Sequence, residues 1–142
     1  MNTLGSGGEA LIKSFETLTL TAYPDSGGVP TIGWGHTRGV QLGDTCTAEQ
    51  AEDWFVEDTQ AAIEAIDTSL TTHISQPQFD ALVSFTFNVG SGAEAHSTLI
   101  KLINARRFAS AAAEFLKWIH VEGVPSAGLE RRRKAEQALF LS

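Results

Sequence analysis

A mainly helical α+β fold with one small β-hairpin is what this sequence predicts, and three features predict it. Thr47 and Gln50 form a capping box ahead of a run in which Ala51, Trp54, Phe55, Asp58, Ala62, Ala65 and Ile66 recur mostly at helical spacing. The stretch Glu16 to Thr37, ETLTLTAYPDSGGVPTIGWGHT, sets β-prone segments on either side of a turn rich in Pro, Asp and Gly, which reads as a hairpin. Further segments of helical periodicity, each with its own start signal, fill the second half of the chain. A length of 142 residues suits one domain, or two lobes sharing a core.

Taken in order, Gly5 to Gly8 reads as a flexible lead-in. Leu11, Ile12, Phe15 and Leu18 then mark a helix, with Glu16 at the edge of its apolar face near the helix end. The hairpin follows, with Asp25 in its turn after Pro24 and Thr31 on the returning strand. His36 stands at the hairpin exit, where its simplest role is structural, paired with an acid. Gly39 to Asp44 is a loop. The helix begun at Thr47 runs to around Asp67, about 20 residues or roughly 30 Å. Glu49, Glu52 and Asp53 favour its first turns.

Ser75 and Pro77 open another helix, with Phe79, Leu82, Val83 and Phe87 on its apolar face and a stop at Asn88-Val-Gly90. Ser97 to Ile103 is a short helix. Phe108, Ala111, Ala112, Phe115, Leu116 and Ile119 give an amphipathic helix from Arg107 onward. Gly123 to Gly128 is a loop, and the last helix starts near Ala127.

Composition narrows the function. Net charge is −7, made of −11 over residues 1–100 (2 basic, 13 acidic) and +4 over residues 101–142 (8 basic, 4 acidic). That balance argues against nucleic acid as a partner and leaves a basic C-terminal patch that neutralises the acidic part or faces an anionic polymer. No apolar run approaches membrane-spanning length. The N-terminal text has no signal-peptide core, so no membrane anchor is expected. One cysteine, Cys46, excludes an intramolecular disulfide and reads as structural. No His or Cys spacing suits a metal, and no cofactor is expected.

The chemistry-bearing residues are Glu16, Asp25 and Thr31. Each alone is ordinary: a helix acid, a turn aspartate bonding its own backbone, a strand threonine. Together they put two carboxyls across one gap, which is the requirement of glycoside cleavage. A carboxyl beside Phe15 is partly desolvated, and desolvation favours the protonated form that a general acid uses.

At these residues the chain resembles the phage-type lysozymes, the endolysins. Their pattern is a Glu, an Asp nine residues on, a Thr six further, and the text TIGxGHT, here Thr31 to Thr37. The resemblance implies that Glu16 protonates the glycosidic oxygen while Asp25 and Thr31 hold the attacking water on the other face of the sugar, an inverting geometry. Phe87-Asn-Val-Gly followed by Ser97-Thr-Leu resembles a second family string, FNxG…STL. It implies substrate contacts at Phe87, Asn88 and Thr98, whose plainer roles are core packing, a helix end and a helix start. Between these strings, Ala93-Glu-Ala-His96 lacks the bulk that relatives carry, which puts one cleft wall in question. Gly128-Leu-Glu-Arg-Arg-Arg-Lys-Ala-Glu136 resembles the closing GLxxRRxxE text. It implies an arginine that orients Glu16. Spacing does not separate Arg131, Arg132 and Arg133, and Arg132 stands as the supporting candidate beside His36.

The resemblance covers Leu11 to Leu141 and implies a lysozyme-like two-lobed fold within one domain, 1–142. The small lobe, about 11–46, holds the hairpin, a linking helix spans about 47–67, and the helical lobe spans about 68–142. The implied activity is a muramidase hydrolysing the β-1,4 bond between N-acetylmuramic acid and N-acetylglucosamine. The implied partner is the glycan strand of bacterial peptidoglycan, met by a monomer. A complete chain of this kind would accumulate in the host cytoplasm and reach the wall through a separate pore. The alternatives are a lytic transglycosylase, which needs one acid only, and a non-catalytic peptidoglycan-binding protein.

Overall fold

The computed structural model describes residues 2–142. It is mainly helical, with two small antiparallel sheets. Helix α1 (Ser6–Glu16) leads into the hairpin β1 (Thr19–Pro24) and β2 (Pro30–Gly33). The long helix α2 (Ala48–Ser69) follows, then α3 (Gln76–Val89), α4 (Ser91–Ala95), α5 (Thr98–Asn104) and α6 (Phe108–Glu114). A second hairpin, β3 (His120–Val121) and β4 (Val124–Pro125), precedes α7 (Ala127–Leu141).

The helices begin where the caps place them. Thr47 Oγ1 accepts from Gln50 N at 3.1 Å while Gln50 Oε1 accepts from Thr47 N at 2.9 Å. Ser75 and Gln78 repeat this box at α3. Ser97 and Ser126 cap α5 and α7. Each cap satisfies amide donors that the first helical turn leaves without partners. With its 22 residues, α2 is about 33 Å long.

The core lies among the helices, where Ile12 of α1 joins those that follow the first hairpin. Phe79, Leu82, Val83 and Phe85 of α3 pack with Ile63 and Ile66 of α2, Leu99 and Ile103 of α5, and Phe115 and Phe140. Phe85 meets Phe115 and Trp118 edge-on, with ring centroids 5.6 and 5.2 Å apart. The first hairpin is anchored on α2 instead. The ring of His36 stacks on Trp54 at 4.5 Å, and its Nδ1 lies 2.8 Å from Asp58 Oδ2. Trp54 and Asp58 are one helical turn apart, so one face of α2 supplies both contacts. Thr45 bridges to Thr21, which gives the hairpin a third, short flank.

Three local expectations are corrected. Gly5 to Gly8 is no loose lead-in: Ser6–Gly8 form the first turn of α1. Gly5 N donates to the buried carboxylate of Asp80 at 2.9 Å. A Cβ at Gly8 would sit 2.7 Å from Asp80 Cβ, so the missing side chain allows α1 to lie against α3. Tertiary packing overrides the weak helix propensity of glycine. At the other end, Leu18 lies outside α1 and is 40% exposed. Thr17 adopts φ +39°, which ends the helix at Glu16 and turns the chain into β1. Lastly, the loop expected from Gly123 begins as a hairpin. Glu122 and Gly123 both have positive φ, 49° and 82°, as a two-residue hairpin turn of matching twist requires.

The segment Ala93 to His96, which interrupts the family pattern, forms most of α4 and its cap. Glu94 is fully buried there and is hydrogen-bonded to Ser69 Oγ at 2.6 Å, with its Oε2 lacking a partner. Burial pushes the Glu94 carboxyl above its ordinary value of 4.5, and the Ser69 bond offsets part of that. The folded chain therefore holds this proton more tightly than the unfolded chain does. Its stabilising effect is complete at acid pH and is lost as pH rises through the raised value. We predict that Glu94→Gln and the native protein melt at similar temperatures near about pH 4, and that the variant becomes the more stable by about pH 8. Thermal melts across that range check this, and a gap that widens towards acid instead would contradict it.

Candidate active site

The site is built from the end of α1, the first hairpin, and the facing sides of α3 and α7. A cleft of about 480 Å³ brings together Glu16, Asp25, Thr31, Phe87, Asn88 and Arg132, and Tyr23, Gly35 and Arg131 also line it. Two candidates lie elsewhere. His36 is buried against α2 as described above. Thr98 is exposed at the first turn of α5 and does not line this cleft.

Glu16 is the last residue of α1, and three features fix its carboxyl. The turn at Thr17 stops the helix there. Arg132 Nη1 donates to Glu16 Oε2 at 2.5 Å, and its guanidinium lies 5.8 Å from the centre of the Phe15 ring. On the other side the backbone of Gly35 passes against the carboxyl. An added Cβ at Gly35 would stand 2.7 Å from Glu16 Cδ, and φ there is +81°. Glycine is required on both counts: L side chains are disfavoured at that φ, and the space is taken.

Asp25 sits in the exposed hairpin turn. Its Oδ1 accepts from Gly27 N at 2.9 Å and Val29 N at 2.8 Å, and its main-chain N and O also bond within the turn. The carboxylate is thus held by its own loop through one oxygen, and Oδ2 has no partner among the described residues. Thr31 faces Tyr23 across the ladder and is 4% exposed. Its hydroxyl donates to Val29 O at 2.8 Å, so Oγ1 retains only acceptor capacity. The Tyr23 phenol is pushed up by burial first, then by the nearby charges of Glu16 and Asp25.

Beneath the cleft lies a buried charged cluster. Glu136, Arg132 and Arg133 of α7 are 0, 4 and 1% exposed. Arg132 Nε donates to Glu136 Oε2 at 3.3 Å, and its Nη2 donates to Ser84 O at 3.1 Å. Ser84 Oγ donates to Glu136 Oε2 at 2.6 Å. Arg133 donates from Nη1 to Glu136 Oε1, from Nη2 to Asn88 Oδ1, and from Nε to Trp118 O at 2.9 Å. Burial pulls the Arg133 guanidinium down, and the charge of Glu136 opposes this. Glu16 and Asn88, on opposite sides of the cluster, are therefore held by neighbouring arginines that share one carboxylate.

Sequence reasoning did not single out Glu136, Ser84, Gly35 or Tyr23 for the site, and it left Arg133 as one of three arginines. A signal existed for Glu136: it follows Arg132 by four residues and Arg133 by three, the spacings that put side chains on one helix face. Ser84 carried no such signal, because only tertiary packing brings α3 under α7.

The arrangement suits acid-assisted attack of water on an acetal. One carboxyl stands on the α1 side, and a carboxylate and an acceptor hydroxyl stand on the hairpin side. Among the described residues no group of three or more His, Cys, Asp or Glu side chains converges to hold a metal ion.

Residues 13–136 match the phage lysozyme family. The chain is 40% identical over 139 residues to an endolysin of Acyrthosiphon pisum secondary endosymbiont phage 1, covering 95% of each chain. Among solved structures it superposes on a single-residue mutant of P22 lysozyme with TM-score 0.83 and 39% identity, covering 100% of both chains. It superposes on the muramidase domain of SpmX from Asticaccaulis excentricus with TM-score 0.89 and 36% identity, covering 100% of this chain and 99% of that one. A family match over most of the length, a full-length relative at this identity and a shared fold agree with the cleft described above, and the chain belongs to the phage lysozyme family.

Proposed function

We propose that this protein is an endolysin-type muramidase, a glycoside hydrolase that cleaves peptidoglycan glycan between N-acetylmuramic acid and N-acetylglucosamine. The observation that carries this reading is the convergence of Glu16, Asp25 and Thr31 on one cleft in a chain of this family. The glycan lies between the hairpin and the helical part of the molecule, with α2 joining the two as lobes of one domain.

In this mechanism Glu16 is the general acid. It gives its proton to the glycosidic oxygen as the bond to the anomeric carbon breaks. A water on the opposite face of the sugar donates one hydrogen to Asp25 Oδ2 and the other to Thr31 Oγ1. With both hydrogens engaged, its lone pair points at the anomeric carbon. The water forms the new bond, Asp25 takes up its proton, and the product leaves with inverted configuration. The fixed Thr31 hydroxyl supports this assignment, because a hydroxyl already donating to Val29 O acts on the water only as an acceptor. Glycan binding by Phe87 and Asn88 fits their place in the cleft. Thr98, exposed at the start of α5, has no such support. A monomer that builds up in the host cytoplasm and reaches the wall through a separate pore completes the reading. No helix among the described residues is long and apolar enough to cross a membrane, and α2, the longest, carries seven acids in its 22 residues.

We predict that Glu16→Gln loses activity by about 100-fold or more while remaining folded, since it removes the donated proton. Mass spectrometry of products from purified peptidoglycan checks both reaction and residue. Reducing-end muropeptides absent with the variant are expected. Anhydro ends would mean a transglycosylase, and binding without products would mean a wall-binding protein. Thr31→Ser is expected to keep most of the turnover and Thr31→Val to lose it, as only serine keeps the acceptor; equal rates for the two would remove Thr31 from the water site. Gly35→Ala is expected to lower kcat by about 100-fold by displacing Glu16. Steady-state rates alongside melting curves check this, and a variant that is less stable but equally fast would contradict it.

A further inference from the structure

The last turn of α1 meets the loop after β2 at two consecutive residues. Ile32 and His36 exchange backbone hydrogen bonds of 2.9 and 2.8 Å, which closes a loop of Gly33, Trp34 and Gly35. Both glycines have positive φ, 66° and 81°. Gly33 packs against Ala51 of α2, and Gly35 lies against the Glu16 carboxyl. Trp34, between two glycines, is therefore the one side chain by which this loop can be gripped. Its half-buried ring packs on the core and also meets Lys13 of α1.

Lys13 precedes Glu16 by three residues, so the two share one face of α1. Its Nζ lies 5.0 Å from the centre of the Trp34 ring and 4.8 Å from that of Phe55. The same nitrogen donates to both carboxylate oxygens of Glu52 on α2, at 3.1 and 2.9 Å. Glu52 is 46% exposed, so solvent screens the ion pair and it adds little stability. The contact with the two rings is screened less, since Phe55 is buried and Trp34 half-buried. One ammonium thus joins α1, α2 and the loop that backs the Glu16 carboxyl. Resting on the muramidase reading above, we propose that Lys13 is a positioning residue for the general acid: it grips the Trp34 ring and so keeps the Gly35 backbone against Glu16.

Without that grip the two glycines leave the loop free to move, and Glu16 loses the wall on one side while keeping Arg132 on the other. The acid is then misplaced for proton delivery, although the surfaces that bind glycan are untouched. The test measures kcat and KM on a soluble peptidoglycan glycan fragment, with melting curves, for the native chain, Lys13→Met and Lys13→Arg. Methionine keeps the length and packing of the stem but removes the cation. Lys13→Met is expected to lower kcat by about tenfold with KM little changed, the scale of one partly desolvated cation–aromatic contact. Lys13→Arg keeps a cation over both rings and is expected to restore most of kcat. A Lys13→Met variant that melts lower but keeps the native kcat would overturn the proposal. A native chain that releases no product would instead overturn the muramidase reading.

A second comparison asks whether Lys13 acts through Trp34. Trp34→Leu is expected to lower kcat as Lys13→Met does, and Lys13→Met is expected to lower it no further in a Trp34→Leu background. The loss of melting temperature from the missing Glu52 pair should persist in that background. Additive losses in kcat would overturn the route through Trp34. If Trp34→Leu does not fold, Lys13→Met and Lys13→Arg still decide the positioning claim.

Discussion

The helical side of the cleft rests on a buried carboxylate, Glu136, clamped between two arginines. Removing one partner of such a buried pair costs about 3–5 kcal/mol, because it leaves an uncompensated charge out of water. The cluster reaches the cleft through Arg132, which joins Glu136 to Glu16. Its geometry follows from the helix. Arg132 and Arg133 are consecutive and leave α7 about 100° apart, so one reaches α1 and the other reaches the end of α3. Glu136 lies about one turn further along, within reach of both. A single anchor therefore sets the position of the proposed acid and of the proposed sugar contact. Buried Phe85 and half-buried Trp118 pack beside it, so the cluster is tied to the same core that holds the helices together.

The hairpin side of the cleft works by a different principle. There the polar groups are held by their own turn and need no distant partner. Asp25 is fixed by two amides within four residues, and Thr31 by a carbonyl two residues away. His36 ties the hairpin to α2 through one stack and one hydrogen bond, and Gly33 of β2 packs close against Ala51 of the same helix. Unusual backbone conformations mark the junction. Thr17 is a β-branched residue at positive φ immediately after Glu16, and Gly35 stands at positive φ against the Glu16 carboxyl. Residues held in sparsely populated backbone regions gather at functional sites, where the surrounding structure over-determines them. Here they aim one side chain.

Much of this was legible before any coordinates. Capping residues are local signals, so Thr47, Ser75 and Ser97 located their helices closely. Read with the family pattern, the spacing of Glu16, Asp25 and Thr31 pointed to three residues that line one cleft, because a hairpin returns the chain over a short, countable distance. What sequence missed depends on distance in space. The first turn of α1 forms because Asp80, 75 residues from Gly5, accepts its amide. The choice of Arg132 over Arg131 and Arg133 as the partner of Glu16 depends on the rotation of α7 against α3, which no local pattern encodes. Glu94 looked like a gap in a family pattern, and the structure buries it against Ser69 at the far end of α2. The Glu122–Gly123 turn was overlooked because its two strands are only two residues each, too short for alternation to register.

The central claim is that water, held on the hairpin side by Asp25 and Thr31, attacks opposite to the proton delivered by Glu16. The configuration of the first product tests this most directly. Proton NMR of the reducing end, recorded during early turnover of a peptidoglycan glycan fragment before mutarotation, distinguishes the two outcomes. The account predicts the α-anomer, formed by one inverting displacement of a β bond. First-formed β-anomer would mean a covalent or ion-paired intermediate on the enzyme, and would contradict the role given to the Asp25–Thr31 pair.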